Sequence, residues 1–370
     1  MMKTRWILVV ATMLIAQLSN AQTKTEYKSW NPAKDATRTL AGQAWPSEVQ
    51  DFYDRLPARA EPLVRKPVWN LSKNSSGLNL KFKSDATEIV VKYAVAGSVQ
   101  MSHMPATGVS GVDLYANDGN GKWLWAAAQF KFGDTIVYRF NTASVEQKEL
   151  SYTLFLPLYN AVKWMEISVP SQSSFTPVPV STEKPIVIYG TSIAQGACAS
   201  RPGMSWTNIL SRRINQPIIN LAFSGNGRLE KELVDLLTEI DAKLYVLDCL
   251  PNLTAPAFTE AEVQKRLEQS ITELQMKKPG VPILLTEHDG YTDEGVNKVR
   301  KETYESLNKV LRQTFSQLKA KGVKGIYLLS KAEINQDIDT MVDGTHPNDA
   351  GMLRYAAAYQ HAIKNILKLK

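Results

Sequence analysis

Four short stretches, far apart in a chain of 370 residues, carry residue types that together could cleave an acyl bond. Ser192 lies in YGTSIAQG, where a strand-like run gives way to a loop and helix. A glycine-supported turn there can expose the hydroxyl while free N–H groups at the helix start face a developing anion; a helix N-cap is the commoner use of serine at such a place. In NLAFSGNGRLE, Gly225 and Gly227 let the backbone approach something closely, or merely turn it. VLDCLPNLT supplies Asn252 after a proline-stiffened turn, able to donate its amide to an oxyanion or to cap the turn. VDGTHPNDAG, near the C-terminus, holds Asp343 and His346. The histidine is one of four in the chain, and it has a carboxylate three residues before it to orient its ring.

The elements that must position these residues follow from periodicity. Beyond about residue 185 the runs KPIVIYG, PIINLAF, AKLYVLD, VPILLTE and KGIYLLS alternate with amphipathic helical patterns such as RLEKELVDLLTEI. Continuous apolar strands between such helices predict a doubly wound α/β domain with a five-stranded parallel sheet covered on both faces. Ligands gather at the carboxyl ends of strands in such sheets, which is where Ser192, Gly225 and Asn252 fall. From about 65 to 170 the period is two: Leu78, Leu80 and Phe82 alternate with Asn79, Lys81 and Lys83, and turn signals such as NDGNG separate the runs. This predicts an all-β sandwich. The Ser, Thr and Pro-rich stretch SQSSFTPVPVSTEKP marks the change-over as a semi-stiff linker or crossing segment, so the expected division is a leader over 1–21, a sandwich over 22–175 and a second domain over 176–370.

The leader rests on Lys3 and Arg5, an apolar run from Trp6 to Leu18, and small residues at Ser19 and Ala21: an export signal cut near Ala21, giving a secreted or periplasmic protein with no retained membrane span. The formal charge of +7 drops to +5 when Lys3 and Arg5 go. The basic residues are scattered among acidic ones, which argues against nucleic acid as a partner. Cys198 and Cys249 could pair in an oxidising compartment or remain two buried thiols.

Taken in chain order, Gly190-Thr191-Ser192-Ile193, Gly225, Asn252 and the Asp343/His346 pair resemble the blocks of the SGNH (GDSL-type) hydrolases. Thr191 departs from the aspartate usual in that text. In the sandwich, Gly111-Val112-Asp113-Leu114-Tyr115 resembles the GxDLY signature of the domain that precedes a subset of bacterial SGNH esterases. The resemblance implies a flavodoxin-like SGNH fold behind a jelly-roll-like sandwich. It also implies Ser192 as nucleophile, His346 as base, Asp343 as its orienting group, and an oxyanion hole from the N–H groups of Ser192 and Gly225 and the amide of Asn252. No cofactor is implied. A metal is not expected either, because no HxxxH or Cys/His cluster accompanies Asp343 and His346 in the sequence.

Other residues carry weaker expectations. Glu287 and His288, after the fourth strand, and Arg201, in ASRPGM, are candidates for substrate binding, with a salt bridge the alternative for Arg201. His103 and His361 read as structural or surface residues. Trp45, Trp69, Trp123 and Trp125 could form a sugar-stacking surface or fill the sandwich core. The functional expectation is a serine esterase removing small acyl groups, acetyl first, from carbohydrate. A lipase or lysophospholipase is the nearest other enzyme, and a silent glycan-binding protein on a hydrolase fold the alternative of another class.

Overall fold

The computed structural model describes residues 25–143 and 148–369; the expected leader lies outside them. The parallel sheet runs Ile218–Ala222, Ile186–Gly190, Leu244–Asp248, Ile283–Thr286 and Ile326–Leu329, a 2-1-3-4-5 order that gives the doubly wound, flavodoxin-like arrangement. The first three strands are buried at every position, as their largely apolar runs require of strands covered on both faces, with Asn220 and Asp248 the buried polar exceptions. One layer packs Leu233, Leu237, Leu267 and Leu311 against the sheet; the other packs Trp206, Ile209, Met352 and Tyr359. Among the described residues no helix is long and apolar enough to cross a membrane.

Before it stand two antiparallel sheets. One orders Tyr27–Trp30, Val162–Pro170, Glu88–Val95, Ile136–Asn141 and Ala128–Lys131; the other orders Thr176–Pro177, Asn79–Ser84, Leu150–Phe155, Asp113–Asn117 and Trp123–Ala126. The alternation read in LNLKFK holds: Leu80 and Phe82 are buried while Lys81 and Lys83 face out. The crossing segment is not a free linker. Thr176–Pro177 pairs with Asn79–Ser84, and the N–H groups of Val178 and Val180 donate to Lys81 and Arg38.

The sandwich and the parallel sheet are not independent bodies. Trp45, Leu56, Val64 and Trp69 join one apolar layer of the parallel sheet, while Met104, Val109, Leu158 and Tyr159 join the other. At the centre of this junction Arg55 is 1% exposed. It donates to the carbonyls of Leu71 and Asn74 on its own side and of Asn220 and Ala222 on the second strand, with its guanidinium over the Phe223 ring. Burial lowers its pKa to about 9; the four carbonyls take the place of a carboxylate.

Arg55→Leu is therefore expected to leave four buried carbonyls without their donor, at a cost on the order of 3 kcal/mol or more. Urea unfolding would show a lower midpoint, and a midpoint equal to that of the parent protein would contradict this account of the junction.

Candidate active site

The strand Ile186–Gly190 ends in Thr191, the N-cap of a four-residue helix, Ser192–Gln195. Ser192 is thus the first helical residue rather than the cap, so its N–H has no acceptor within the helix. Its Oγ lies 2.9 Å from Nε2 of His346. On the far side of that ring Nδ1 is 2.7 Å from Oδ2 of Asp343, while Oδ1 accepts from the N–H groups of Thr345 and His346. Burial opposes ionisation of Asp343, but these hydrogen bonds, led by the one from the His346 ring, hold its carboxyl below the ordinary range. A carboxylate accepting at Nδ1 fixes the tautomer in which Nε2 offers its lone pair to Ser192.

The turn carrying Asp343 is itself pinned. Gly344 has φ +79°, and its carbonyl accepts from Arg300 and from the N–H of Thr292. Arg300 also bonds the Thr345 hydroxyl, pairs with Asp293 and lies over the Tyr291 ring. Pro347 stands just before the last helix. That helix spans Asp349–Leu367 with Asn348 as N-cap, and Pro347 pairs with Met341 in an isolated bridge, so its ring closes the turn instead of opening the helix.

The two glycines after the second strand divide the uses foreseen for them. Gly225 turns the chain, at φ +67° with open space around it. Gly227 makes the close approach: a Cβ there would lie 2.2 Å from the Gly190 carbonyl oxygen. Its N–H donates to Oδ1 of Asn252, which leaves the Nδ2 end of that amide available. Among the described residues no hydrogen bond takes up the Gly225 N–H or the Asn252 Nδ2.

Three candidates stand elsewhere. Arg201 does not present itself to a substrate: it pairs with Asp113, bonds the Tyr115 hydroxyl and stacks on Trp125. Asp113 also accepts from the Gly203 N–H and the Trp125 indole, and a Cβ at Gly203 would collide with Tyr115 and Asp113. The GVDLY and SRPGM texts are two halves of one docking contact. Glu287 is buried, held by Arg312 and by the N–H of Lys331. His288 is buried too, with its backbone clasped at both ends by the Asn308 amide and Nδ1 accepting from Gly290. The strand end after residue 286 turns these side chains inward. Among the tryptophans, Trp45 and Trp69 are buried at the domain junction, while Trp123 donates to the Arg212 carbonyl across it.

Sequence reasoning missed His103. It sits exposed in the sandwich turn closed by the Met101–Met104 bridge, its ring centroid 5.9 Å from that of His346. Only the fold brings it there. Cys198, a buried free thiol like Cys249, lies beside the same pair; burial, then the Asp343 charge, push it up to about 12, which keeps it from acting as a nucleophile. The cavity of about 550 Å³ between the domains, lined by Arg38, Trp123 and Arg212, opens beside the strand starts at Pro185 and Ile218, the sheet edge opposite Ser192.

Residues 183–364 match the family described as GDSL-like lipase/acylhydrolase, and residues 27–175 match the domain described as the N-terminus of SGNH-hydrolase-type esterases. A GDSL-like lipase from Bacteroides ovatus is 31% identical with a TM-score of 0.84, over 93% of this chain and 99% of that one. The salicylyl-acyltransferase SsfX3 from a tetracycline biosynthetic pathway is 18% identical with a TM-score of 0.74, over 93% and 99% of the two chains. An acetyl xylan esterase, Est2A, from the rumen bacterium Butyrivibrio proteoclasticus shares the fold at 9% identity and a TM-score of 0.55, over 92% and 99%. Among curated proteins none matches by sequence.

At the carboxyl ends of the third and fourth strands two buried aspartates, Asp248 and Asp289, face Tyr355 and Tyr359. Burial, then the Asp289 charge, push Asp248 up to about 7. In the unfolded chain an aspartate ionises near about 3.9. Between those values the unfolded state releases a proton that the folded state keeps, so this group removes stability as pH rises from about 4 to about 7, with the loss complete above. The melting temperature of Asp248→Asn, relative to the parent protein, is expected to climb across that window and then level off. A difference independent of pH would contradict the protonated state assigned to Asp248.

Proposed function

This chain belongs to the GDSL-like lipase/acylhydrolase family and is a carboxylic ester hydrolase; from that premise we propose that it removes small O-acyl groups, acetyl first, from carbohydrate through an acyl-enzyme on Ser192. The observation that carries the proposal is the unbroken path from Ser192 Oγ through the His346 ring to Asp343, at 2.9 Å and 2.7 Å. His346 takes the Ser192 proton as Oγ attacks the ester carbonyl, then gives it to the departing alcohol oxygen. Water attacks the acyl-enzyme, His346 accepts its proton, and the acid leaves as Ser192 recovers its own. General acid–base transfer of this kind contributes roughly 10² to 10⁴ in rate.

The tetrahedral oxyanion is received by the Ser192 N–H, the Gly225 N–H and the Asn252 Nδ2. These donors suit the role because they lie on the backbone or are fixed at their other end, so they need no reorganisation as charge develops.

Two considerations support a small acyl group and a sugar. A long chain needs an apolar groove beside the nucleophile, whereas His346, the partner of Ser192, has the polar groups of His103, Cys198 and Asp343 beside it. The fold shared with an acetyl xylan esterase and the expected export signal favour an extracellular or periplasmic acetylated glycan as substrate.

Ser192→Ala is expected to abolish p-nitrophenyl acetate turnover with the melting temperature nearly unchanged, and an organophosphonate ester to label Ser192 stoichiometrically. Asn252→Ala is expected to lower kcat by about 10²- to 10³-fold. Activity close to that of the parent in Ser192→Ala would sink the nucleophile assignment. Acetate released from acetylated polysaccharides tests the substrate class; faster turnover of long-chain p-nitrophenyl esters than of the acetate would refute it.

A further inference from the structure

We propose that His103, Cys198 and His346 form a site for a thiophilic divalent cation, zinc being the type species, and that filling it silences the enzyme by removing the base from Ser192. The silencing rests on the catalytic reading above; the binding does not.

The three residues come from three distant parts of the chain, and each offers one ligand atom within 4.8 Å of the other two. Tetrahedral zinc, with Zn–N about 2.0–2.1 Å and Zn–S about 2.3 Å, sets one sulfur and two nitrogens roughly 3.3–3.6 Å apart. Closing the difference takes a shift of about 1 Å, which the exposed His103 side chain on its short turn can supply. Cys198 is already anchored, its N–H donating to the carbonyl of Pro347, next to His346 in the chain.

His346 is prepared for a metal by the contact that prepares it as a base. Asp343 holds Nδ1, so Nε2 presents a lone pair, the carboxylate–histidine–metal arrangement that raises ligand basicity. One thiolate and two imidazoles suit zinc and disfavour magnesium or calcium, which prefer oxygen. On binding, the Cys198 thiol gives its proton to solvent, and a water fills the fourth position. Ser192 Oγ and the cation then compete for one lone pair on Nε2. A filled site would also tie the sandwich, through His103, to the catalytic domain.

Cobalt(II) is the probe, used on the full folded chain. Titration is expected to raise a thiolate-to-cobalt charge-transfer band that saturates at one equivalent and is abolished by added zinc. Zinc should inhibit p-nitrophenyl acetate turnover and a chelator restore it. His103→Ala should need at least tenfold more metal for both effects, inhibition being read against its own metal-free turnover, and Cys198→Ser should lose the band. Ser192→Ala should lose turnover yet keep the band, which separates failure of the metal site from failure of the catalytic reading. Absence of the band in the parent protein at stoichiometric cobalt, or equal zinc inhibition in the parent, His103→Ala and Cys198→Ser, would overturn the proposal.

Discussion

A helix of four residues cannot hold its own shape in water, because nucleating the first turn fixes several backbone angles for a single hydrogen bond. Ser192–Gln195 is such a helix, and its rigidity comes from outside. The Tyr159 hydroxyl donates to the Ser192 carbonyl, the Ser76 hydroxyl to the Gln195 carbonyl, and the Gln195 amide donates to Leu158 while accepting from Ser224. Tyr159, Ser76 and Leu158 belong to the sandwich part of the chain. The nucleophile turn is therefore built jointly: the parallel sheet delivers Ser192 to its edge, and the preceding domain fixes the direction in which the hydroxyl points. Sites supported this way keep their geometry because the supporting groups are themselves packed.

The same division of labour explains the arginines at the junction. Arg55 draws the end of the second strand toward the sandwich through backbone carbonyls alone, just before the chain turns at Gly225. Arg201 joins Asp113 and Tyr115 to the loop that follows the nucleophile helix. One contact is charge-neutralised and the other is not, yet both fix backbone that leads directly into the oxyanion and nucleophile loops. The GVDLY text is thus a docking motif whose partner text lies in the other domain.

How much of this was legible depended on whether the information was local. The five strands are readable because a strand covered on both faces must be largely apolar, as Ile186–Gly190 is and as Leu244–Asp248 is up to its terminal aspartate. Asp343 and His346 could be paired on paper because three residues of chain already bring them together. Ser192 could be matched to them only through a resemblance, since nothing local joins residue 192 to residue 346. What stayed illegible shares one cause. Glu287 and His288 fall at the expected sheet edge and Arg201 takes the salt-bridge alternative, but the partners that hold each of them lie far away in sequence: Arg312, Asn308 and Asp113. His103 carried no signal at all; its place beside His346 is a property of how the domains dock.

That docking has a consequence for how the molecule works. The sandwich touches the catalytic machinery at two points, gripping the nucleophile helix through Tyr159 and Ser76 and facing the base through His103. The turn that holds His346 is braced from within its own domain by Arg300, so base and nucleophile take their positions from different supports. The 2.9 Å separation between Ser192 and His346 is the sum of both. A displacement at the shared junction, where both apolar layers join sandwich to sheet, would change that separation, and near-attack geometry tolerates little displacement. Residues at the junction therefore bear on catalysis as well as stability, which is why a domain with no triad member of its own is part of the active site.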